Sequence, residues 1–352
     1  MRKLLLLALA VLFFSLAPEA EAQINRRSIK KNNKRISSYR GRKSWFGKEK
    51  IYNMIGLSVS ALNYYGDLSP KTSVFSTDIS FTRPAIGLHF SHRFGPRYAL
   101  TGSFTYGTLK GSDNESADQG DSENGLYRYQ RNLSFRNRIK ELSVVASFDL
   151  FPNSATYISR AQWTPYAFLG VSMLLHNPQA QAPATDLQGN PLPEAGEWVD
   201  LQSLGTEGQR SQLQPGDANS GISQYKKLQI AIPMGLGVRF RLNEVMDFSV
   251  ETGFRYLFTD YIDDVSRNYV DLGVFGGNEL AKAMSYRSNE VVPNPTNTYT
   301  GRDGQSYTVV PGYGSEFPSN NRGDKGDKDI FMVTTLKATY IIGKTFHRAK
   351  FR

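Results

Sequence analysis

Eight short segments between Asn53 and Ile342 alternate apolar and polar residues, and the connections between them differ sharply in length. A period of two places alternate side chains on opposite faces of a strand. Asn53–Tyr65 sets Ile55, Leu57, Val59 and Ala61 against Gly56, Ser58 and Ser60. Arg83–Phe94 sets Ile86, Leu88 and Phe90 against Gly87, His89 and Ser91, and Tyr98–Leu109 sets Leu100, Phe104 and Tyr106 against Thr101, Ser103 and Thr105. The same alternation runs through Glu141–Leu150, Leu228–Phe240 and Phe248–Phe258. Tyr166–Leu175 and Ile330–Ile342 are apolar on both faces, which leaves their orientation open. A sheet that is oily on one side and wet on the other, made of eight such strands, predicts an all-β fold: an eight-stranded antiparallel up-and-down transmembrane β-barrel.

The connections sharpen that expectation. Gly95-Pro96 and Asn243-Glu244 are tight turns, and Pro152–Gln162 is of moderate length. About Gly66–Thr82, Gly111–Arg136, Asn177–Ser223 and Ile262–Asp329 are long and polar. Bacterial barrels keep short turns on the periplasmic side and long loops outside, so four long extracellular loops are expected, with the ends of residues 51–342 in the periplasm. A soluble lipocalin-like barrel is the alternative, but its apolar face would point inward and its loops would not alternate in length.

The N-terminus reads as an export signal. Arg2 and Lys3 precede an apolar run from Leu4 to Ala17, and Ala20-Glu21-Ala22 supplies small residues at a cleavage site. Residues 1–22 are therefore expected to be a signal peptide, and the protein is expected in the outer membrane. No later stretch offers roughly 18 uninterrupted apolar residues, which excludes an ordinary helical membrane protein. The absence of cysteine excludes disulfides, thiolate chemistry and a lipid-modified N-terminal cysteine.

The formal charge of +10 suggests nucleic acid until it is located. Residues 23–50 carry eleven Lys or Arg against Glu49 alone, which equals the whole excess. In residues 1–22, Arg2 and Lys3 balance Glu19 and Glu21, so residues 51–352 are neutral. The charge belongs to a basic periplasmic tail over 23–50, and residues 343–352 form a second short basic tail; no nucleic-acid partner is implied. With so few apolar residues, the 23–50 segment is expected to be disordered alone and to meet anionic head groups or an acidic partner.

An eight-stranded interior is just wide enough for side chains to fill. Arg83, His89, Arg93, Glu141, Asp149, Arg239, Glu251 and Arg255 fall on the wet face, and their charges are expected to pair across the lumen as a salt-bridged plug. A gated conduit is the alternative; a protein-sized pore is excluded on diameter. Catalysis has little support. His89 and His92 lie on opposite strand faces and cannot share a metal, and Ser143, His176 and Asp263 are not singled out by any spacing. No enzyme, metal or other cofactor is expected. Asp260, Asp263 and Asp264 read as turn and cap residues, with calcium as the alternative. Asp113, Glu115, Asp118, Asp121 and Glu123 read as a solvated, mobile outer loop.

Two strings carry a family resemblance. Asn63-Tyr64-Tyr65-Gly66-Asp67-Leu68-Ser69-Pro70 follows the first strand, and Thr259-Asp260-Tyr261-Ile262-Asp263-Asp264-Val265-Ser266 with Tyr269-Val270-Asp271 follows the seventh. Trp163-Thr164-Pro165-Tyr166 and Ile232-Pro233-Met234-Gly235-Leu236-Gly237 accompany them. Together these resemble the PorG-like outer-membrane barrels of the type IX secretion and gliding machinery, over roughly residues 51–342. The resemblance implies a structural role, anchoring or scaffolding a periplasmic ring of PorK- and PorN-type subunits at the outer membrane. It makes Tyr65, Gly66, Asp67, Leu68, Pro70, Thr259, Asp260, Tyr261, Asp263, Asp264, Tyr269 and Asp271 the residues of interest. An OmpA-like structural or adhesive barrel and a small-solute channel are the competing classes.

Overall fold

The computed structural model describes residues 50–68, 81–122, 125–153, 157–317, 320–326 and 328–342. The expected signal peptide, the basic tail up to Glu49, the C-terminal tail 343–352 and Pro70 lie outside these residues.

Twelve strands occur among the described residues: β1 (Tyr52–Tyr65), β2 (Arg83–Arg93), β3 (Tyr98–Ser112), β4 (Ser134–Asp149), β5 (Trp163–Leu175), β6 (Pro178–Gln181), β7 (Trp198–Asp200), β8 (Leu228–Arg241), β9 (Met246–Leu257), β10 (Asn297–Thr300), β11 (Ser306–Val309) and β12 (Ile330–Ile342). Eight of them form a closed antiparallel barrel in the order β1-β2-β3-β4-β5-β8-β9-β12. The ladder from Asn53↔Ile342 to Tyr65↔Ile330 joins the first strand to the last and leaves no open edge in the wall. β6 and β7 extend the sheet from the outer end of β4, through Arg136↔Gln179 and Gln179↔Asp200.

The parity of the strands holds around the wall. Leu57, Ile86, Leu142, Val171 and Leu236 point outward, each more than half exposed, while Ser58, Ser91, Ser143 and Ser249 on the other parity are buried. An exposed apolar band on a closed sheet is stable only against lipid, because in water it would be a large unpartnered hydrophobic surface. The two strands of open orientation resolve in the same way. In β5, Leu169, Val171 and Met173 face out, while Tyr166, Phe168 and Leu174 face in. In β12, Leu336, Tyr340 and Ile342 face out, while Phe331, Val333 and Ile341 face in. Phe168 packs over the facing pair Gly235 and Gly253 of β8 and β9, where a Cβ on either glycine would come within 2.8 Å of its ring.

The four long connections leave one end of the barrel, and their described residues fold there. β3 and β4 pair as far as Ser112↔Ser134, which shortens their loop at both ends relative to the expected Gly111–Arg136. The β9–β12 connection contains the β10–β11 hairpin and a helix over Glu279–Ser285, capped at its N-terminus by Asn278. Tyr269, Leu272, Tyr286, Tyr307, Val309, Val310 and Tyr313 form a hydrophobic core within this connection. A second core runs from the outer lumen into the loops and includes Leu62, Tyr64, Leu68, Phe135, Ile139, Leu174, Leu257, Ile262, Val265, Met284, Phe331 and Val333.

Candidate functional site: the lumen and the outer junction

The lower lumen is polar because its lining is Ser, Thr, Tyr and paired charges. Asp149 sits between two guanidiniums: Arg93 Nη2 lies 2.5 Å and Arg239 Nη1 3.2 Å from its Oδ2. Arg93 also donates to the Pro96 carbonyl at 2.6 Å, which anchors the β2–β3 turn. Arg255 Nε pairs with Glu141 Oε1 at 2.8 Å. Glu251 accepts from Lys337 at 2.6 Å and from Tyr166 Oη at 2.6 Å. Arg239 stacks over the Tyr166 ring, 4.8 Å from its centroid. Arg93, Arg239, Arg255, Glu141, Asp149 and Glu251 are thus brought together as pairs. Arg83 differs from expectation: it stands at the outer end of β2, opposite Leu62, with no ion pair among the described residues. His89 bonds Thr339 Oγ1 at 3.0 Å and takes no part in the pairing, while His92, on the other face, bonds Asn53.

Sequence reasoning missed Lys337, Asp247 and Arg160. Lys337 lies on the strand of ambiguous parity, and Asp247 lies one residue before the expected start of its strand. Arg160 belongs to the β4–β5 turn, where no periodicity marks it. It nevertheless closes the periplasmic end, pairing with Asp247 at 2.7 Å and donating to the carbonyls of Tyr157, Asn243, Glu244 and Met246.

Among these charges, below the apolar upper lumen, lies a cavity of about 60 Å³, lined by residues including His89, Thr101, Ser143, Ser147, Tyr166, Glu251, Arg255 and Lys337. That is room for a few waters. Above it Leu62, Phe135, Ile139, Leu174, Leu257 and Phe331 fill the bore.

The two motif segments meet above this apolar plug. Tyr64 Oη lies 2.7 Å from Asp263 Oδ2 and 2.5 Å from Asp329 Oδ1. One hydroxyl carries one proton, so it donates to only one carboxylate; the other short contact requires a protonated carboxyl donating to Tyr64. The energetics agree. Burial and then the neighbouring Asp329 hold the Asp263 carboxyl well above the usual carboxylate range. Burial likewise pushes Asp329 up to about 7, and burial with the Asp329 charge pushes Asp260 up to about 8. Asp67 is raised to about 6, chiefly by burial and against the pull of Arg131. It packs on Gly323, where a Cβ would come within 2.5 Å of its Oδ2 and clash also with the Ser266 nitrogen.

Buried ion pairs and hydrogen bonds then tie all four loops together. Arg131 grips Asp113 with two nitrogens at 2.8 and 2.9 Å and donates to the carbonyls of Asp67 and Arg322. Arg322 donates to Glu207 Oε1 at 3.1 Å and to the Asp264 carbonyl at 2.5 Å. Glu207 accepts from the Ser266 and Arg267 amides and from Tyr261 Oη. Asp264, at φ +70°, accepts from Tyr225 and Thr206. Tyr261 stacks on Tyr225 at 4.7 Å.

The other motif residues take lesser places. Leu68 and Tyr269 are fully buried, Tyr65 ends β1 and Gly66 follows it, Thr259 Oγ1 accepts from the Tyr261 amide, and Asp271 accepts from the Gly273 and Arg302 amides. The turn role expected of Asp263 is present, since its Oδ1 accepts from the Val265 amide at 2.9 Å. Among the described residues no cluster of His, Asp or Glu has the geometry of a metal site. The expectation of a solvated acidic loop is corrected at Asp113: it is fully buried, because Arg131 and Arg128 neutralise it and the Leu133 amide bonds it. Glu115 pairs with Lys110 on the surface. Ser143 and His176 are not assembled with Asp263; Ser143 bonds Ser103 in the lumen, and His176 sits beside Asn137 and Tyr225.

The junction should be sensitive to pH. Carboxyls whose folded pKa is raised favour the fold below their unfolded value near 4, and that advantage disappears as pH rises through the folded value. For Asp260 and Asp329 the window therefore runs from about pH 4 to about pH 8. Amide exchange at Ile262 and Val265 is expected to accelerate several-fold beyond its intrinsic increase between pH 6 and 9. Asp260→Asn, which cannot ionise, should reduce that excess and leave the part due to Asp329 and Asp263, which bond these amides; an unchanged profile would mean that Asp260 contributes none of it.

Residues 44–187 match the family model described as Domain of unknown function (DUF6089). No curated protein sequence matches this chain. Among solved structures the chain is similar to the outer membrane protein OprG of Pseudomonas aeruginosa, at 9% identity and a TM-score of 0.36, covering 85% of this chain and 99% of that one. It is also similar to Neisserial surface protein A, at 7% identity and a TM-score of 0.32 over 82% and 96% of the two chains. The attachment invasion locus protein Ail of Yersinia pestis aligns at 8% identity and a TM-score of 0.28 over 83% and 98%. With its wall closed by β1 and β12, its outer face apolar and its polar lumen paired, this chain is an eight-stranded β-barrel of the outer membrane.

Proposed function

We propose that this barrel is a non-conducting, non-catalytic scaffold of the outer membrane, and that it serves the type IX secretion machinery by holding a periplasmic ring of PorK- and PorN-type subunits. The observation that carries the scaffold reading is the filled bore: an apolar plug continuous with the loop core above, ion pairs below, and about 60 Å³ of space among those pairs. Such an interior favours rigidity over transport. The secretion assignment rests on the resemblance of the Tyr64–Leu68 and Thr259–Ser266 strings. Their place supports a structural reading, since both are buried joints of one network rather than an open ligand site.

The test is extraction of the full chain from its native membrane in mild detergent. Stoichiometric recovery of periplasmic ring proteins is expected, and single-channel recordings in planar bilayers should stay at background. Recovery without any ring protein would remove the secretion role, and steady unitary conductance would remove the scaffold reading.

A further inference from the structure

The outward parity of β3 and β4 changes character at the loop end of the barrel. Below it are Phe104, Leu142 and Val144, all exposed to lipid. Above them come Lys140, Arg138 and Arg136 on β4, with Lys110 beside Arg136 on β3. Lys140 is flanked by Tyr106 on one side and Leu175 on the other, both exposed apolar residues, so it marks the upper edge of the hydrocarbon layer. Successive outward residues on a strand lie about 7 Å apart, which makes a ladder of about 14 Å from Lys140 to Arg136. Lys226 is exposed two residues before outward-facing Leu228, and Leu228 pairs with Leu175.

Most of these cations are left uncompensated. Lys110 is held by Glu115 at 2.7 Å, and nearby Lys227 faces Asp200 at 3.8 Å. Arg136, Arg138, Lys140 and Lys226 have no ion pair among the described residues. Arg136 bonds the neutral Gln179 and lies flat on Trp198, 3.6 Å from the ring centroid, and Trp198 is itself 41% exposed. Like charges two apart on one strand face repel unless an anion comes between them. An aromatic ring beside cations just above an apolar band fits the head-group layer of a bilayer.

We infer that this patch binds a phosphate-bearing glycolipid of the outer leaflet, with its acyl chains on Leu142, Val144 and Leu175 and its phosphate between Arg138 and Lys140. Arginine grips phosphate with two parallel hydrogen bonds, and lysine adds a compact second charge. The wall on the β12, β1, β2 and β9 side presents Ala61, Ile86, Tyr256 and Phe258 outward at its loop end, with Lys328 the single exposed cation on its outward parity among the described residues, so the glycolipid seats on the side where four unpaired cations cluster. This site is independent of the secretion role.

The test uses the full chain in detergent, titrated with diphosphorylated lipid A and followed by native mass spectrometry. Each cation near an anionic group contributes about five-fold in affinity, so R138Q/K140Q/K226Q should bind about a hundred-fold more weakly. R138K/K140R/K226R should stay within about five-fold of the parent, and K325Q, at an exposed lysine of the β9–β12 loop, should match it. Dephosphorylated lipid A should bind the parent as weakly as the triple variant binds the intact lipid. Heat-modifiable migration reports assembly; if the triple variant does not assemble, K140Q against K325Q carries the same comparison at about five-fold. Equal binding by parent and triple variant, equal binding of dephosphorylated lipid A, or displacement by phosphatidylglycerol or millimolar inorganic phosphate would each overturn the assignment.

Discussion

Asp149→Ala lowers the stability of the barrel by about 3–5 kcal/mol, the expected penalty for leaving buried charges without their partner. Asp149 is 1% exposed and serves Arg93 and Arg239 together, so its removal strands two guanidiniums in the lower lumen. Among the described residues, the Pro96 carbonyl is the one hydrogen-bond acceptor that Arg93 then retains. Urea titration of the folded barrel in lipid vesicles, followed by heat-modifiable migration, measures the loss. The triple variant R93L/D149A/R239M should recover a large part of it, because apolar replacement of a whole buried ion network is often neutral or favourable. A loss below about 1 kcal/mol in the single variant would mean that water solvates the guanidiniums, in the range typical of exposed pairs.

Val250→Arg should cost about 2–4 kcal/mol and prevent much of the protein from assembling, because the guanidinium would enter lipid near mid-wall. Val250 faces outward between Val238 of β8 and Leu336 of β12. Leu242→Arg provides the control. Leu242 is equally apolar and more exposed, but it lies in the β8–β9 turn at the membrane edge, where the same substitution costs about 0–1 kcal/mol. The fraction of folded protein in outer-membrane preparations separates the two. Equal damage at both sites would remove the dependence on depth, and with it the lipid-facing assignment of the apolar band.

The wall was legible because lipid and lumen impose opposite chemistry on neighbouring residues, and Ile86-Gly87-Leu88-His89 or Val250-Glu251 records that opposition directly. Where both neighbours are apolar the record fails. Leu174 of β5 and Phe331 and Val333 of β12 face inward into the dry upper lumen, so alternation vanishes in the strands that build the plug. The ambiguity was itself the signature of a filled bore. The lumen pairs followed from parity for Arg93, Asp149 and Arg239, but not for Arg160, which reaches Asp247 from a turn. The outer junction left no local trace. Its partners are far apart in the chain, with Arg322 and Glu207 separated by 115 residues, Arg131 and Arg322 by 191, and Tyr64 and Asp329 by 265. Periodicity reports the face of one strand and carries nothing about which of many loop carboxylates meets which arginine. The motif strings located Asp67, Asp260, Tyr261, Asp263 and Asp264 without revealing that Asp113 lies buried in the same network.

Because Arg131, Glu207, Asp264 and Arg322 lock four separate stretches into one body, whatever meets this protein from outside the cell meets a relief assembled from distant parts of the chain. Antibodies raised against synthetic loop peptides would therefore recognise denatured protein on a blot and pass over intact cells. Sera raised against the folded barrel would do the reverse. A vaccine or diagnostic reagent aimed at this surface must present it folded.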